Sequence, residues 1–159
     1  MAGESSTELE RDDNTRVSAT VVAYDPARDL AILRAPGLNR APLAIGTSAE
    51  QKRGGVFGHP GGGPLRIAPF EVARRIKAIG RDIYGETITT RDVLELRAGL
   101  RPGDSGSALV DEAGVVVGVA FAIAPDKPGV AYALATTELQ AVLAGDLSSA
   151  VSTGRCTTG

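Results

Sequence analysis

Residues 103–121 read GDSGSALVDEAGVVVGVAF, and this stretch decides how the rest of the chain is interpreted. Ser105 stands between an aspartate and a glycine, where the backbone can turn tightly. Apolar residues follow at once and are interrupted only by DEAG, a combination typical of a turn. The stretch therefore predicts a hydroxyl group in a tight loop, followed by short strands at Ser107–Asp111 and Val115–Ile123.

Strand-like segments extend outward in both directions from this loop. TRVSATVVAY (residues 15–24) and LAILRA (residues 30–35) flank the turn DPARD and predict a hairpin. Further strands are expected at Asp92–Ala98 and Val130–Leu134. Residues 2–16 are polar and are expected to form a loop.

Two further segments depart from this pattern of short strands. Residues 65–79 fit either helical spacing or strands, and Pro69 interrupts the segment. Near the C-terminus, Thr136 and Thr137 are N-cap candidates for a short amphipathic helix that Gly145 would end. Many short strands and one closing helix predict an all-β barrel or sandwich.

Composition excludes several classes of protein. The chain has 159 residues and a formal net charge of -2, so it lacks the basic surface of a nucleic-acid-binding protein. Its longest apolar stretch, residues 113–125, is shorter than the roughly 18 residues of a membrane-spanning helix. No signal peptide follows Met1. We therefore expect a soluble chain that contacts neither nucleic acid nor membrane.

Ser105 has two interpretations from local sequence alone. A serine hydroxyl attacks a carbonyl only when a base takes its proton and donors stabilise the resulting oxyanion. The amides of Gly103 and Ser105 are suited to be those donors. The alternative is a glycine-rich turn with a solvent-facing serine, and the local sequence leaves both open.

Several motifs in order resemble the chymotrypsin-like serine proteases. The serine loop and the later PGVAYALAT resemble the last strands of that superfamily, and YDPARDLAILRA resembles its triad-aspartate segment, notably in the bacterial high-temperature-requirement branch. FGHPGGG resembles the entry to the second barrel. DIYG, TRDV and the terminal GRC are most similar to the actinobacterial membrane-anchored periplasmic acid-resistance proteases.

The resemblance implies a two-barrel fold and a site. Residues 1–50 would be the remnant of an incomplete first barrel, and residues 51–159 the second barrel with the C-terminal helix. Ser105 would be the nucleophile, Asp29 the carboxylate that orients a histidine, and the Gly103 and Ser105 amides the oxyanion hole. Asp29 also fits a plain turn residue. Ser107 and Ala108 depart from the Gly-Pro of many relatives.

The triad histidine is missing from the expected place. His59 is the one histidine, and the order Asp29, His59, Ser105 is that of subtilisin, but a strand rather than a helix is predicted after Ser105. Relatives carry Tyr or Asn at the position of His59, which favours a loop residue. Their histidine precedes the aspartate, and its equivalent would lie about two residues before Met1. The hypothesis is an N-terminal truncation, with negligible activity for the chain alone.

The resemblance also bears on compartment, partners and specificity. Cys156, the one cysteine, is either an incidental thiol or half of a disulfide whose partner lies outside the chain, which would imply an extracytoplasmic location. The full-length protein would be membrane-anchored and act on proteins or peptides without a cofactor or metal. Gly99, near the expected specificity pocket, argues against strict Arg or Lys preference.

The sequence also bears on two other functions. A degenerate protease fold would bind peptides on its edge strands without cleaving them. A phosphate-binding role for GHPGGGP is disfavoured because no Lys-Ser/Thr pair follows the glycines.

Overall fold

The structure is a computed structural model that describes residues 2–4 and 6–157. This part of the chain forms nine strands, one α-helix and a 3-10 turn at Pro60–Gly62. The elements are β1 Thr7–Glu10, β2 Arg16–Asp25, β3 Leu30–Arg34, β4 Arg53–Gly58, β5 Arg66–Arg81, β6 Ile88–Ala98, β7 Ala108–Asp111, β8 Val116–Ile123, β9 Val130–Ala135 and α1 Thr136–Leu143.

The first sheet is antiparallel, with the strand order β1-β2-β3. The predicted hairpin is confirmed, since Tyr24 pairs with Ala31 across β2 and β3. The prediction of a loop over residues 2–16 was wrong, because β1 pairs with β2 through Leu9 and Val17. A short polar strand at the edge of a sheet buries no continuous apolar face, so its sequence gives little strand signal.

The remaining strands form a closed barrel in the order β4-β5-β6-β9-β8-β7. A small barrel leaves room inside only for side chains. Here Ala131 and Ala133 on β9 pack in the same buried cluster as Phe70, Leu94 and Leu109, so small residues offset large ones. The predicted strands after Ser105 and at residues 130–134 are confirmed to within one residue at each end.

The ambiguous segment 65–79 lies in the long strand β5, which excludes the helical alternative. Pro69 is tolerated opposite Gly55 with its ring exposed. The next strand, β6, begins at Ile88 rather than at Asp92 as predicted.

Helix α1 is confirmed, but the origin of its N-terminal cap was predicted wrongly. Thr136 is already helical, and its amide donates to Oγ of Ser48 at 2.9 Å. The hydroxyl of Thr137 donates instead to Oδ2 of Asp92 at 2.9 Å. The cap thus comes from a residue distant in sequence, which local pattern cannot identify.

The chain divides into two compact units, each built from more than one segment. Unit 1 comprises Met1–Pro42, Gly80–Thr89 and Gln140–Gly159, and unit 2 comprises Leu43–Ile79 and Thr90–Leu139. The sequence-based boundary at residue 50 separates β1–β3 from β4–β9. In the structure, residues 80–89 and 140–159 also belong to unit 1. Among the described residues, no helix is both long and apolar enough to cross a membrane.

Candidate active site

Ser105 lies at the surface of unit 2, in the loop between β6 and β7. Gly103 and Gly106 on either side adopt φ values of 98° and 86°, in the left-handed region that favours glycine. The Ser105 hydroxyl donates to the carbonyl oxygen of Phe121 at 3.3 Å. The glycine spacing read from the sequence therefore corresponds to a real double turn that exposes the serine.

Backbone hydrogen bonds fix this loop on its C-terminal side. The Gly106 amide donates to the Ala120 carbonyl at 2.8 Å, and the Ala120 amide donates to the Ser107 carbonyl at 2.8 Å. The Ser107 amide in turn donates to the Asp104 carbonyl at 3.1 Å. The serine is thus held against β8 rather than placed on a free tip.

The amides of Gly103 and Ser105 donate to no protein acceptor within the described part of the chain. Two unengaged N–H groups beside an exposed hydroxyl are the donors that an oxyanion would need. The loop therefore carries two backbone donors without a protein acceptor among the described residues, one on either side of Asp104.

Asp104 is a buried acid that sequence reasoning did not assign to the site. Its Oδ2 accepts the Arg101 amide at 2.8 Å, while its own amide donates to the Arg101 carbonyl at 3.0 Å. A Cβ placed on Gly58 would lie 2.4 Å from Asp104 Oδ1, so that carboxylate fills the space over β4. The GDSG motif contains this residue, but only its burial indicates that it supports the Ser105 loop.

Asp29 lies in unit 1, on the turn between β2 and β3, whereas Ser105 belongs to unit 2. Its side chain is exposed and its φ is 58°, which is uncommon for a residue other than glycine. A cavity of about 330 Å³ opens beside it. The residues that line this cavity are Ala2, Tyr24, Asp29, Leu30, Ala31, Ile83 and Thr157.

Tyr24 is a second titratable residue that lines this cavity. Burial, the 3.0 Å hydrogen bond between its hydroxyl and that of Tyr84, and the negative charge of Asp29 together raise the pKa of Tyr24. The Tyr84 hydroxyl also donates to the Thr153 carbonyl at 3.4 Å. This chain of contacts keeps Tyr24 neutral next to a carboxylate.

His59 is exposed and is the residue before the 3-10 turn. Its Nδ1 is 2.9 Å from the Gly63 carbonyl, which can only accept, so Nδ1 carries the proton. No hydrogen bond joins His59 to Ser105 in the described residues. The ring serves to close its own Pro/Gly loop.

The remaining predicted residues are readily located. Cys156 is a free, exposed thiol, and a Cβ on Gly3 would lie 2.3 Å from its sulfur. Gly99 is exposed, with open space where a side chain would start. Within residues 2–4 and 6–157, no group of three or more His, Cys, Asp or Glu side chains is arranged to hold a metal.

Comparison with known proteins agrees with this fold. The model of the trypsin-like peptidase domain matches residues 2–119. The serine protease Rv3671c of Mycobacterium tuberculosis is 40% identical over 144 residues, which is 87% of this chain and 36% of that protein. A DegP-like probable periplasmic serine endoprotease of Chlamydia pneumoniae is 30% identical over 117 residues, 74% of this chain and 24% of that protein.

The crystal structure of the Rv3671c protease in its active form superposes on this chain with a TM-score of 0.93 and 36% sequence identity. The aligned region covers 99% of this chain and 71% of the crystallised chain. The chain belongs to the trypsin-like peptidase family, and its fold is of the chymotrypsin-like, high-temperature-requirement type. It spans about a third of the length of the mycobacterial relative.

Proposed function

We propose that this chain carries the nucleophile, the oxyanion donors and the orienting carboxylate of a serine endopeptidase. The observation that carries the proposal is the Ser105 loop. An exposed hydroxyl lies in a loop pinned to β8, with unengaged amides at Gly103 and Ser105. Membership of the trypsin-like peptidase family supports the same chemistry.

The reaction would be amide hydrolysis through an acyl-enzyme. Ser105 Oγ forms a bond to the peptide carbonyl carbon while its proton passes to a base, and the Gly103 and Ser105 amides donate to the oxyanion. The C–N bond then breaks as the base returns the proton to the leaving amine. Water releases the acyl group by the same route, so no metal or cofactor takes part.

An unpaired strand edge beside Ser105 supports a peptide substrate. At residues 121–123, β8 pairs with β9 on one side, through Ala122 and Tyr132. On its other side β7 pairs no further along β8 than Val119, and among the described residues no strand continues from there. An extended peptide added to this edge would run past the serine hydroxyl.

The base would be a histidine supplied by sequence that precedes residue 1 in the parent protein. The cavity of about 330 Å³ beside Asp29 supports this, because it leaves space for a ring next to that carboxylate. Asp29 would then orient the imidazole. Without that histidine, only the residual catalysis of binding and oxyanion donors remains, about 10³–10⁴-fold over water.

A fluorophosphonate probe tests these roles, because it labels a serine only when a base activates it. We expect negligible labelling of this chain and rapid labelling of a chain extended by its natural upstream sequence. Ser105→Ala should abolish labelling of the extended chain, whereas His59→Gln should leave it unchanged. Rapid labelling of the short chain would contradict the assignment of the base. An upstream sequence without histidine would instead indicate a pseudoprotease.

A non-catalytic peptide-binding module is the second candidate, favoured by the same unpaired edge at residues 121–123. It predicts that the extended chain binds unstructured peptides without cleaving them. Mass spectrometry of a bound peptide pool distinguishes the two, because an endopeptidase would shorten the peptides and a module would return them intact.

The location and tether of the parent protein are part of the proposal. We place the domain outside the cytoplasm, supported by the periplasmic endoprotease that it resembles. Cys156 would pair with a cysteine preceding residue 1, supported by the contact of its sulfur with Gly3. A membrane anchor would likewise lie in the parent protein. Maleimide should modify Cys156 in this chain and fail to do so in the oxidised parent protein.

A further inference from the structure

We propose that Arg91 is a positioning residue for the peptide-binding edge at residues 121–123 and acts by stacking on the ring of Phe121. The inference rests on the proposed function, because that edge is where the substrate is assigned. Arg91 lies in the TRDV segment (residues 90–93), to which the proposed function gives no role. It belongs to β6, whereas Phe121 belongs to β8.

Phe121 is the bulged residue of β8. In the ladder with β9, Ala120 pairs with Ala133. The next pair is Ala122 with Tyr132, so no residue of β9 lies directly opposite Phe121. A bulge leaves its extra residue outside the regular ladder and re-aims the side chain. The position of Phe121 is therefore set in part by what its side chain contacts.

One contact of that side chain is the guanidinium of Arg91. Its Cζ lies 5.4 Å from the centroid of the Phe121 ring, within the range of a cation–π interaction. Arg91 is only 8% exposed, although arginine is rarely buried. Because water is largely excluded, the attraction between the cation and the ring is stronger here than at a surface.

The Phe121 backbone links this contact to the nucleophile. Its carbonyl oxygen accepts the Ser105 hydroxyl at 3.3 Å. Ala120, the preceding residue, exchanges two backbone hydrogen bonds of 2.8 Å with the Ser105 loop. Arg91 thus holds the first residue of the open edge, directly after the point where the loop is pinned. Loss of this cation should let the bulge shift, and the edge would no longer present its backbone groups beside Ser105.

Peptide binding tests this role and requires no histidine. Acetyl-Ala-Ala-Ala-Leu is titrated as the free acid into the ¹⁵N-labelled chain, and the amide resonances of Ala122 and Ile123 report its affinity. We expect Arg91→Gln and Phe121→Leu each to lower the affinity about fivefold, the equivalent of one cation–π contact. Arg91→Lys keeps a cation over the ring and should lose only about twofold.

Two further measurements separate positioning from a general effect on folding. In the double variant that combines Arg91→Gln with Phe121→Leu, the two losses of affinity should not add, because both substitutions remove the same contact. The side-chain Nε–H resonance of Arg91 should be shielded by the ring and should move downfield in Phe121→Leu. Losses that add, or a resonance that does not move, would contradict the contact.

The matched control is Arg74→Gln, which removes an exposed arginine that pairs with Glu95 on β6. It should leave the peptide affinity unchanged. Full affinity in Arg91→Gln would overturn the role of Arg91 while leaving the proposed function intact. If Arg91→Gln does not fold, Phe121→Leu decides, and an unchanged affinity there would likewise overturn it. No binding by the unsubstituted chain would overturn the assignment of the peptide-binding edge, and with it this inference.

Discussion

At the scale of single residues, Gly103 combines two independent demands for glycine. Its φ of 98° is strained for any other residue, and a Cβ there would lie 2.5 Å from the Gly61 amide nitrogen. The sequence pointed to this loop because glycines flank a serine. It could not point to the burial of Asp104, because that carboxylate packs over Gly58 on β4, a strand far away in the sequence.

Gly103→Ala should therefore destabilise the chain by at least about 2 kcal/mol, the combined cost of a left-handed alanine and of overpacking. Gly114→Ala is the matched control, since Gly114 has φ 78° but open space around it. It should cost about 1 kcal/mol. Urea unfolding followed by circular dichroism measures both, and equal costs would show that crowding at Gly103 is unimportant.

Tyr24 offers a second test at this scale. Because its pKa is raised in the folded chain, its contribution to stability is present below the ordinary tyrosine pKa of about 10 and is lost as the pH rises above it. Absorbance titration should show a late tyrosine ionisation that Tyr24→Phe removes and Tyr132→Phe retains. At pH 7, Tyr24→Phe should cost about 1 kcal/mol through the lost hydrogen bond with Tyr84.

At the scale of elements, the barrel strands were predictable and the supports between elements were not. Val-rich runs bounded by turns identify β7, β8 and β9 because their pairing buries a continuous apolar face. Polar β1 and the cap of α1 depend on partners elsewhere in the chain. Asp92 is the clearest of these supports, since it binds Arg75 through Nε at 2.9 Å and accepts the Thr137 hydroxyl.

Asp92→Asn tests this link between β5, β6 and the helix. The Arg75 guanidinium holds the pKa of Asp92 well below its usual range, despite burial. A lowered pKa stabilises the fold above the ordinary value of about 4, and that contribution is lost as the pH falls through the lowered pKa. At pH 7, Asp92→Asn should lower the free energy of unfolding by about 2 kcal/mol. This is less than the cost of breaking a fully buried ion pair, because the Arg75 side chain is 36% exposed.

Urea unfolding between about pH 2 and pH 7 measures this dependence. The gap in free energy of unfolding between Asp92→Asn and the unsubstituted chain should be largest at neutral pH and should narrow in acid. Asp126→Asn, in an exposed loop, should show no gap at any pH. A gap that stays constant into acid would mean that the charge of Asp92 contributes nothing.

At the scale of the whole molecule, the first sheet ends in two edge strands. β1 and β3 each pair only with β2 among the described residues. Unpaired edges are templates for association with another chain. The resemblance to two-barrel proteases predicted an incomplete first barrel, and this three-stranded sheet agrees with it.

The chain should consequently associate as its concentration rises from about 1 µM to about 100 µM. Size-exclusion chromatography with light scattering measures the mass at each concentration. The chain extended by its natural upstream sequence is the control and should remain at one mass, because further strands would cover these edges. A monomeric short chain throughout that range would contradict the expectation.

The interleaving of the two compact units has a consequence for how such a gene can be divided. Because unit 1 is assembled from three stretches of chain and unit 2 from two, no single breakpoint separates them. A recombination event that exchanged everything after Pro42 would transfer Gly80–Thr89 and the C-terminal tail along with the barrel. A self-contained barrel gene would instead need Ile79 joined to Thr90 through a new short turn and a stop codon after Leu139. Homologous exchange among such genes should therefore favour whole-domain replacement over the shuffling of halves.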